Sequence, residues 1–549
     1  QRVEAAAPPV LGDALPPPPP PRGEAAALTM RAGDLKAWLL AGRWADAPLG
    51  LGDDFADGLR AAFLTRRLAA PAEAGEVVAP LADGTVELGA FERGTVLTHA
   101  HAEAFALGLG RDAAAVTRVA SLGPSLLAFA PAAEALKALP ALTSLDIAPL
   151  GGSAAAAAAL ADVLATSGRR ARANPGRAGI DALSLRAQQL GFDEAAALAA
   201  AVADGRISSL DLSGTRHTAA PPPPKLSPAF ATYGAPRGGV AAAMGGGLAA
   251  ADRAAAFALA WRPALESSAL TSLRVSQCAL SDGAIVLLTG ALRRAPALAT
   301  LDVSLNAFGE GGALALADFV AAAPSLTALD LSGNPLADRH ALVALTALSE
   351  AVGASTTLKS LEWAGLGRAG ALTPRGRAQW AALAASAITD RRALEVVDLS
   401  GQPFGGDAAG ASVEAAAARD ARAGLSLGVA VRSSWAVHTL RLDGCGLADG
   451  GVAALVGALS GHVALATLSL SRNAVGRRGA AALAAFLGGT RTLRSLALVG
   501  AGVHEEAALV LAAALRQTAT LEVLDLSANP LGTTDGEVDA AAAEPAAAP

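Results

Sequence analysis

Leu326-Thr327-Ala328-Leu329-Asp330-Leu331-Ser332-Gly333-Asn334-Pro335-Leu336 is one copy of a phrase that this chain repeats along most of its length. Leucines hold the first, fourth, sixth and eleventh places, and an asparagine holds the ninth. With the first leucine as anchor, clear copies begin at Leu270, Leu298, Leu326, Leu358, Leu394, Val437, Leu465, Leu493 and Leu521. The steps between them are 28, 28, 32, 36, 43, 28, 28 and 28 residues. A unit of 28 with insertions accounts for the series, because a stacked repeat takes extra residues in its loops. Anchors at Leu142, Ile180 and Ile207 bring the count to twelve, and Val116 with Val119 reads as a degraded earlier copy.

Each unit has two halves. Ala328-Leu329-Asp330-Leu331 alternates apolar with small or polar residues, the period of a half-buried strand. Gly311 to Val320 and Gly479 to Leu487 return apolar residues every three or four places and are rich in alanine, which predicts a helix. Asn306, Asn334, Asn473 and Asn529 stand where the chain leaves the strand. An amide there offers donors and an acceptor to backbone groups in a buried turn. Cys278 and Cys445 fill the same slot with a weaker donor of similar size.

Leu440-Arg441-Leu442-Asp443-Gly444-Cys445-Gly446-Leu447, followed by glycines and an alanine-rich helix, resembles the ribonuclease-inhibitor class of leucine-rich repeats. The resemblance covers roughly residues 140 to 533. It implies an α/β leucine-rich-repeat solenoid, a horseshoe with parallel inner strands and outer helices. The class includes inhibitors, immune sensors, GTPase activators and scaffolds, so it implies protein binding without naming a partner.

Bulk properties narrow the choice. Of 549 residues, 52% are hydrophobic but only 3% aromatic, so the core consists of many small contacts. The formal net charge of −6 argues against nucleic acid as partner, which requires concentrated basic surface. Two cysteines in equivalent slots several repeats apart lie beyond disulfide reach in a regular stack, which favours the cytoplasm. No run of 18 apolar residues occurs, so no membrane association is expected. A chain that begins with Gln1 rather than Met is open to being a fragment or a processed product.

Along the chain, residues 1–28 form a Pro- and Ala-rich tail expected to be disordered, and residues 29–112 an N-terminal cap or small helical region. Within the latter, Leu35 to Leu40 and Phe55 to Leu64 predict amphipathic helices, and Val86-Glu87-Leu88 a decayed repeat strand. Residues 113–533 form the repeat domain, with insertions near 167–178 (a flexible arginine-rich loop), 215–247 and 405–435. The third insertion is expected to lengthen the helical half of its repeat. Residues 534–549 form a flexible tail.

The candidate site is the concave face. Arg274, Asp302, Asp330, Glu362, Asp398, Arg441, Asp443 and Asp525 stand between or beside strand leucines and predict a mostly acidic protein-binding strip. The plainer reading is that these charges are simply solvated, since Leu-Asp-Leu is common phrasing in this repeat class. His99-Ala100-His101 lacks the further ligands a metal requires. Pro17, Pro20 and Arg22 fit a ligand for an aromatic groove, though proline runs are compositionally cheap. No Gly-Lys pair occurs, so this piece holds no P-loop, and no cofactor is expected. The expectation is therefore a non-enzymatic, protein-binding scaffold. One alternative is a GTPase-activating protein resembling the Ran GTPase activator, with a small GTPase as partner. Another is the sensor portion of a nucleotide-binding immune receptor, if the chain is a fragment.

Overall fold

The computed structural model describes residues 84–88, 102–103, 105–106, 109–110, 113–173, 179–217, 247–336, 341–365, 374–405 and 412–531. The Pro- and Ala-rich start, the helices expected at Leu35 to Leu40 and Phe55 to Leu64, His99, His101, Arg177, residues 218–246 and the tail from 532 lie outside these. The chain divides into two compact units, residues 1–180 and 181–549.

The first unit runs β1 (Thr85–Glu87), β2 (Arg118–Leu122), α1 (Pro124–Leu127), α2 (Ala130–Ala138), β3 (Ser144–Ile147) and α3 (Ala154–Ala173). Its strands pair in parallel, Val86 beside Val119 and Val119 beside Leu145. The segments read as decayed copies thus carry strands in register with the clear copy that follows them. Arg169, Arg170 and Arg172 differ from expectation, because they lie on the last turns of α3 rather than in a loop. Arg172 Nε donates to the Gly168 carbonyl one turn back, and Arg169 pairs with Asp162 at 3.8 Å. The alanine run carries the helix on, and arginine itself is a good helix former.

The second unit begins with β4 (Ala182–Ser184), β5 (Gln189–Leu190), α4 (Phe192–Gly205), β6 (Ser209–Asp211), β7 (Arg216–His217), α5 (Gly247–Ala260) and α6 (Arg262–Leu265). Strands and helices then alternate strictly: β8 (Ser272–Arg274), α7 (Asp282–Leu292), β9 (Thr300–Asp302), α8 (Glu310–Ala322), β10 (Ala328–Asp330), α9 (Ala341–Ala354), β11 (Ser360–Glu362) and α10 (Pro374–Ile388). The series closes with β12 (Val396–Asp398), α11 (Val413–Ser433), β13 (Thr439–Arg441), α12 (Asp449–Leu459), β14 (Thr467–Ser469), α13 (Arg477–Gly489), β15 (Ser495–Ala497), α14 (Glu505–Leu515) and β16 (Val523–Asp525). The strands β4, β6 and β8 to β16 form one open parallel sheet in chain order, while β5 and β7 pair separately. The expected α/β architecture, one strand and one helix per repeat, is the one observed.

Three-residue strands suffice because most bury only their central side chain. Leu301, Leu329, Leu361 and Leu440 point beneath the helices, and their neighbours on each strand face the other way. The sheet therefore keeps one face clear of the helix layer. The helical half varies in length: α11 has 21 residues where α7 and α12 have 11.

The turn after each strand is the second repeated device. The residue just before the asparagine slot adopts a left-handed backbone in copy after copy: Leu305 (φ 53°), Gly333 (71°), Gly401 (69°), Gly444 (62°) and Arg472 (55°). A left-handed residue other than glycine costs about 1–2 kcal/mol, so something must hold it. The next side chain does so. Asn306 Nδ2 donates to the carbonyls of Val275 (2.8 Å) and Val303 (2.9 Å), while its Oδ1 accepts from the N–H groups of Cys278 and Leu280 (3.0 Å each). Asn334 repeats this against Val303 and Leu331, Asn473 against Leu442 and Leu470, and Asn529 against Leu498 and Leu526. Each amide therefore ties its own turn to that of the preceding repeat. Cys278 and Cys445 keep that inter-repeat bond through Sγ, to the Leu212 and Leu399 carbonyls at 3.2 Å each. Burial pushes both thiols up to about 12, so they stay protonated donors. Thr215, bonded to the Leu185 carbonyl, and Gln402, bonded to the Trp363 carbonyl, occupy the same slot. Neither was singled out from the sequence.

Candidate functional site

Strand register builds the site. Arg274 on β8 pairs with Asp302 on β9, Asp302 with Asp330 on β10, Asp330 with Glu362 on β11, Glu362 with Asp398 on β12, and Asp398 with Arg441 on β13. Neighbouring strands lie about 4.8 Å apart, so four carboxylates follow one another directly across the sheet. An arginine stands at each end of the row. Arg274, Asp302, Asp330 and Glu362 line an open hollow of about 460 Å³ on the helix-free face, together with Ser276 and Gln277. Arg441 reaches back toward Asp398 at 3.8 Å, and one repeat beyond Arg274, Arg186 holds Asp211 at 2.7 Å.

The carboxylates are only partly committed to the fold. Asp302, Asp330 and Asp398 each accept from a serine N–H two residues on, at 2.9, 2.8 and 2.9 Å. One oxygen of each thus shapes the turn, and the second oxygen of Asp398 faces Arg441. Glu362 has Ala364 in the serine's place and is not tied in this way; the Ala364 N–H donates instead to Ser332 Oγ. Glu362 is the most exposed of the four, though its carboxyl is still partly covered.

Crowding shows in the protonation equilibria. Burial, then the charges of neighbouring carboxylates, raises Asp330 and Glu362 above the ordinary carboxylate range. Asp525 behaves in the opposite way, with hydrogen bonds from Ser527 lowering it. It occupies the equivalent strand position but is separated from the row by Ser469 on β14 and Ala497 on β15. Asp443 also stands apart. It lies two residues past β13, where Oδ1 accepts from Ser469 Oγ and from the Ser471 N–H, so it organises the turn. Six of the eight expected residues therefore form one row, and two do not.

A raised folded-state value fixes the sign of a pH effect. Asp330 and Glu362 take up protons in the folded chain at a higher pH than in the unfolded chain, so their contribution favours folding at low pH. It is lost as pH rises through the folded values. Glu362→Gln should therefore raise stability at pH 7 by up to about 0.5 kcal/mol, the scale of an exposed charge change. The gain should shrink as pH falls through and below the ordinary carboxylate range, where the wild-type carboxyl takes up its proton. Thermal melts of both proteins across that range test this, and a gain that persists unchanged at pH 4 contradicts it.

Sequence reading missed a second set of carboxylates, those that join helices. Asp282 on α7 accepts from the Gly309 and Gly312 N–H groups at the start of α8 (2.6 and 3.0 Å). Asp449 on α12 does the same for Arg478 and Gly479 of α13 (3.0 and 2.6 Å). Asp420 on α11 serves Ala448 and Gly451 of α12 (3.1 and 2.6 Å). A carboxylate against unpaired N–H groups at a helix start satisfies donors and complements the dipole. Asp282-Gly283 and Asp449-Gly450, both twelve residues past an anchor, carried the available signal.

Among the described residues no helix is long and apolar enough to cross a membrane, and no group of three or more His, Cys, Asp or Glu is placed to hold a metal ion. A family model described as "Leucine Rich repeat" matches residues 322–339, which contain the phrase quoted at the outset. No curated protein matches the chain. Among solved structures, an internalin (inlF) from Listeria monocytogenes is similar with a TM-score of 0.35 and 11% identity, over 79% of this chain and 92% of that one. Residues 322–339 thus match a leucine-rich repeat, and the parallel, one-strand-per-repeat sheet has the fold of a leucine-rich-repeat solenoid.

Proposed function

We propose that this protein is a non-catalytic binding scaffold of the ribonuclease-inhibitor class, and that the helix-free sheet face of its second unit receives a protein partner carrying a basic segment. The observation that carries this reading is the unbroken register Asp302, Asp330, Glu362 and Asp398 beside an open hollow. Holding four carboxylates side by side works against the fold, since like charges on adjacent strands repel. A partner's lysines or arginines relieve that repulsion on docking and are steered toward it from a distance. Full helices in a repeat of 28 residues support the subclass. Two buried free thiols fit a cytoplasmic location.

The test is proximity labelling and affinity capture in the native cell. Wild-type protein is compared with a variant carrying Asp302→Asn, Asp330→Asn, Glu362→Gln and Asp398→Asn. The amides keep the turn hydrogen bonds and remove only charge. The wild type should retain a saturable partner whose affinity falls with added salt, and the variant should bind it at least about tenfold more weakly, or roughly 1.4 kcal/mol. Equal capture by both proteins would falsify the assignment of the face.

A further inference from the structure

A different surface carries a further inference, on the outer side of α11. Leu425 is 50% exposed, Val429 53%, Trp435 58% and Val463 68%, against a core whose large side chains are almost wholly covered. Exposed apolar residues scattered singly need no explanation, but these four are clustered. At about 100° per residue, Arg422, Leu425, Val429 and Arg432 fall within an arc of roughly 80° on one helix face. Trp435 follows one residue after the helix cap Ser434. Val463 is its counterpart in the next repeat, since Thr439 pairs with Thr467 and each apolar residue lies four places before its strand threonine. Beside this stripe, α12 and the turn after it expose only small residues, Gly457, Ser460 and Gly461. A ridge of leucine, valine and tryptophan therefore stands beside a low shoulder.

The rim is basic. Arg422, Arg432 and Arg392 are all exposed around the ridge, and none forms an ion pair with a described residue. The carboxylates nearest in sequence are committed elsewhere or stand at the edge: Asp420 is buried against the start of α12, Glu395 pairs with Lys359, and Asp390 lies in the loop before β12. Apolar side chains four apart on one helix face, extended by Trp435 and Val463 and next to a shoulder low enough to admit a second rod, suit the apolar face of a helix. Three guanidiniums around them select its charge.

We propose that the outer face of α11, with Trp435 and Val463, docks an acidic amphipathic helix of another protein. Trp435 is the anchor, because an exposed tryptophan brings large area at small entropic cost. The surface is separate from the carboxylate row, so the chain has two docking faces of opposite charge.

The test uses two labelled peptides of about 16 residues, enough for four turns. One carries leucines at intervals of three and four on one face and glutamates elsewhere; the other has lysines for the glutamates. Binding to the full chain is read by fluorescence anisotropy. The glutamate peptide should bind saturably. Trp435→Ala should weaken it at least about tenfold, and Arg422→Ala with Arg432→Ala roughly fivefold. Neutralising the four row carboxylates should leave this binding unchanged, and Trp435→Ala should leave any binding of the lysine peptide unchanged. Far-UV circular dichroism and melting of each variant confirm that it folds, and the paired arginine variant keeps the test standing if Trp435→Ala does not. Three results overturn the proposal: no saturable binding of the glutamate peptide, equal binding by wild type and the folded variants, or sedimentation showing that the patch instead pairs two copies of the chain.

Discussion

Asn306→Ala should lower the stability of the repeat unit by about 4 kcal/mol, close to what a marginally stable domain can lose. The alanine removes no apolar surface. It strands three backbone groups, the carbonyl of Val275 and the N–H groups of Cys278 and Leu280, while the Val303 carbonyl keeps the Asn334 amide as a donor. Each such group costs about 1–3 kcal/mol when buried without a partner, and partial relaxation recovers some of the total. The substitution also loosens Leu305, whose left-handed backbone the neighbouring amide holds in place. Asn529→Ala is the control. Asn529 makes the same kinds of bond to Val503, Leu498 and Leu526, but it is half-buried in the last described repeat. Water can replace its bonds there, so a loss near 1 kcal/mol is expected. Urea unfolding of the two variants separates the cases, and equal losses would show that burial of the turn is not what makes the ladder costly to break.

The parts of this fold that show in the sequence are those enforced identically in every copy. Leucines at the first, fourth and sixth places show because a strand of three residues must bury its centre and an apolar residue on each side of it. Asn334 and its equivalents show for a similar reason, since an amide serves that turn best. Where the slot asks only for a donor, Thr215 and Gln402 do the work and leave no recurrent letter. The acidic row was half visible. Asp302, Asp330, Glu362 and Asp398 each stand four residues past an anchor, but their adjacency depends on pairing across steps of unequal length. Asp443 stands outside the row because it lies six past its anchor, where its side chain accepts from Ser469 and Ser471. The arginines of α3 misled because charge density suggested a loop, and helix propensity prevailed. Contacts such as Asp420 to Gly451 join separate helices and have no local signature at all.

That last contact leads to a substitution whose sign runs against the usual rule. Replacing a helical glycine by alanine ordinarily stabilises by about 0.5–1 kcal/mol, because the unfolded chain loses freedom. Gly457 on α12 should follow the rule, since a Cβ there meets open space. Gly424 on α11 should reverse it. A Cβ at this position would press into the carbonyl oxygen of Gly451, and one turn on, a Cβ at Gly428 would lie 2.5 Å from the Leu455 carbonyl oxygen. The two glycines let α11 settle against α12 backbone to backbone. Asp420, one turn before Gly424, uses that closeness to reach the Ala448 and Gly451 N–H groups. A side chain at Gly424 therefore parts the helices and leaves a buried carboxylate without its donors. We expect Gly424→Ala to cost about 2 kcal/mol and Gly424→Val about 3 kcal/mol or more, while Gly457→Ala gains up to about 1 kcal/mol. Parallel melts of the three proteins decide the matter. If Gly424→Ala stabilises as Gly457→Ala does, the helices can separate freely, and the length of α11 owes nothing to its contact with α12.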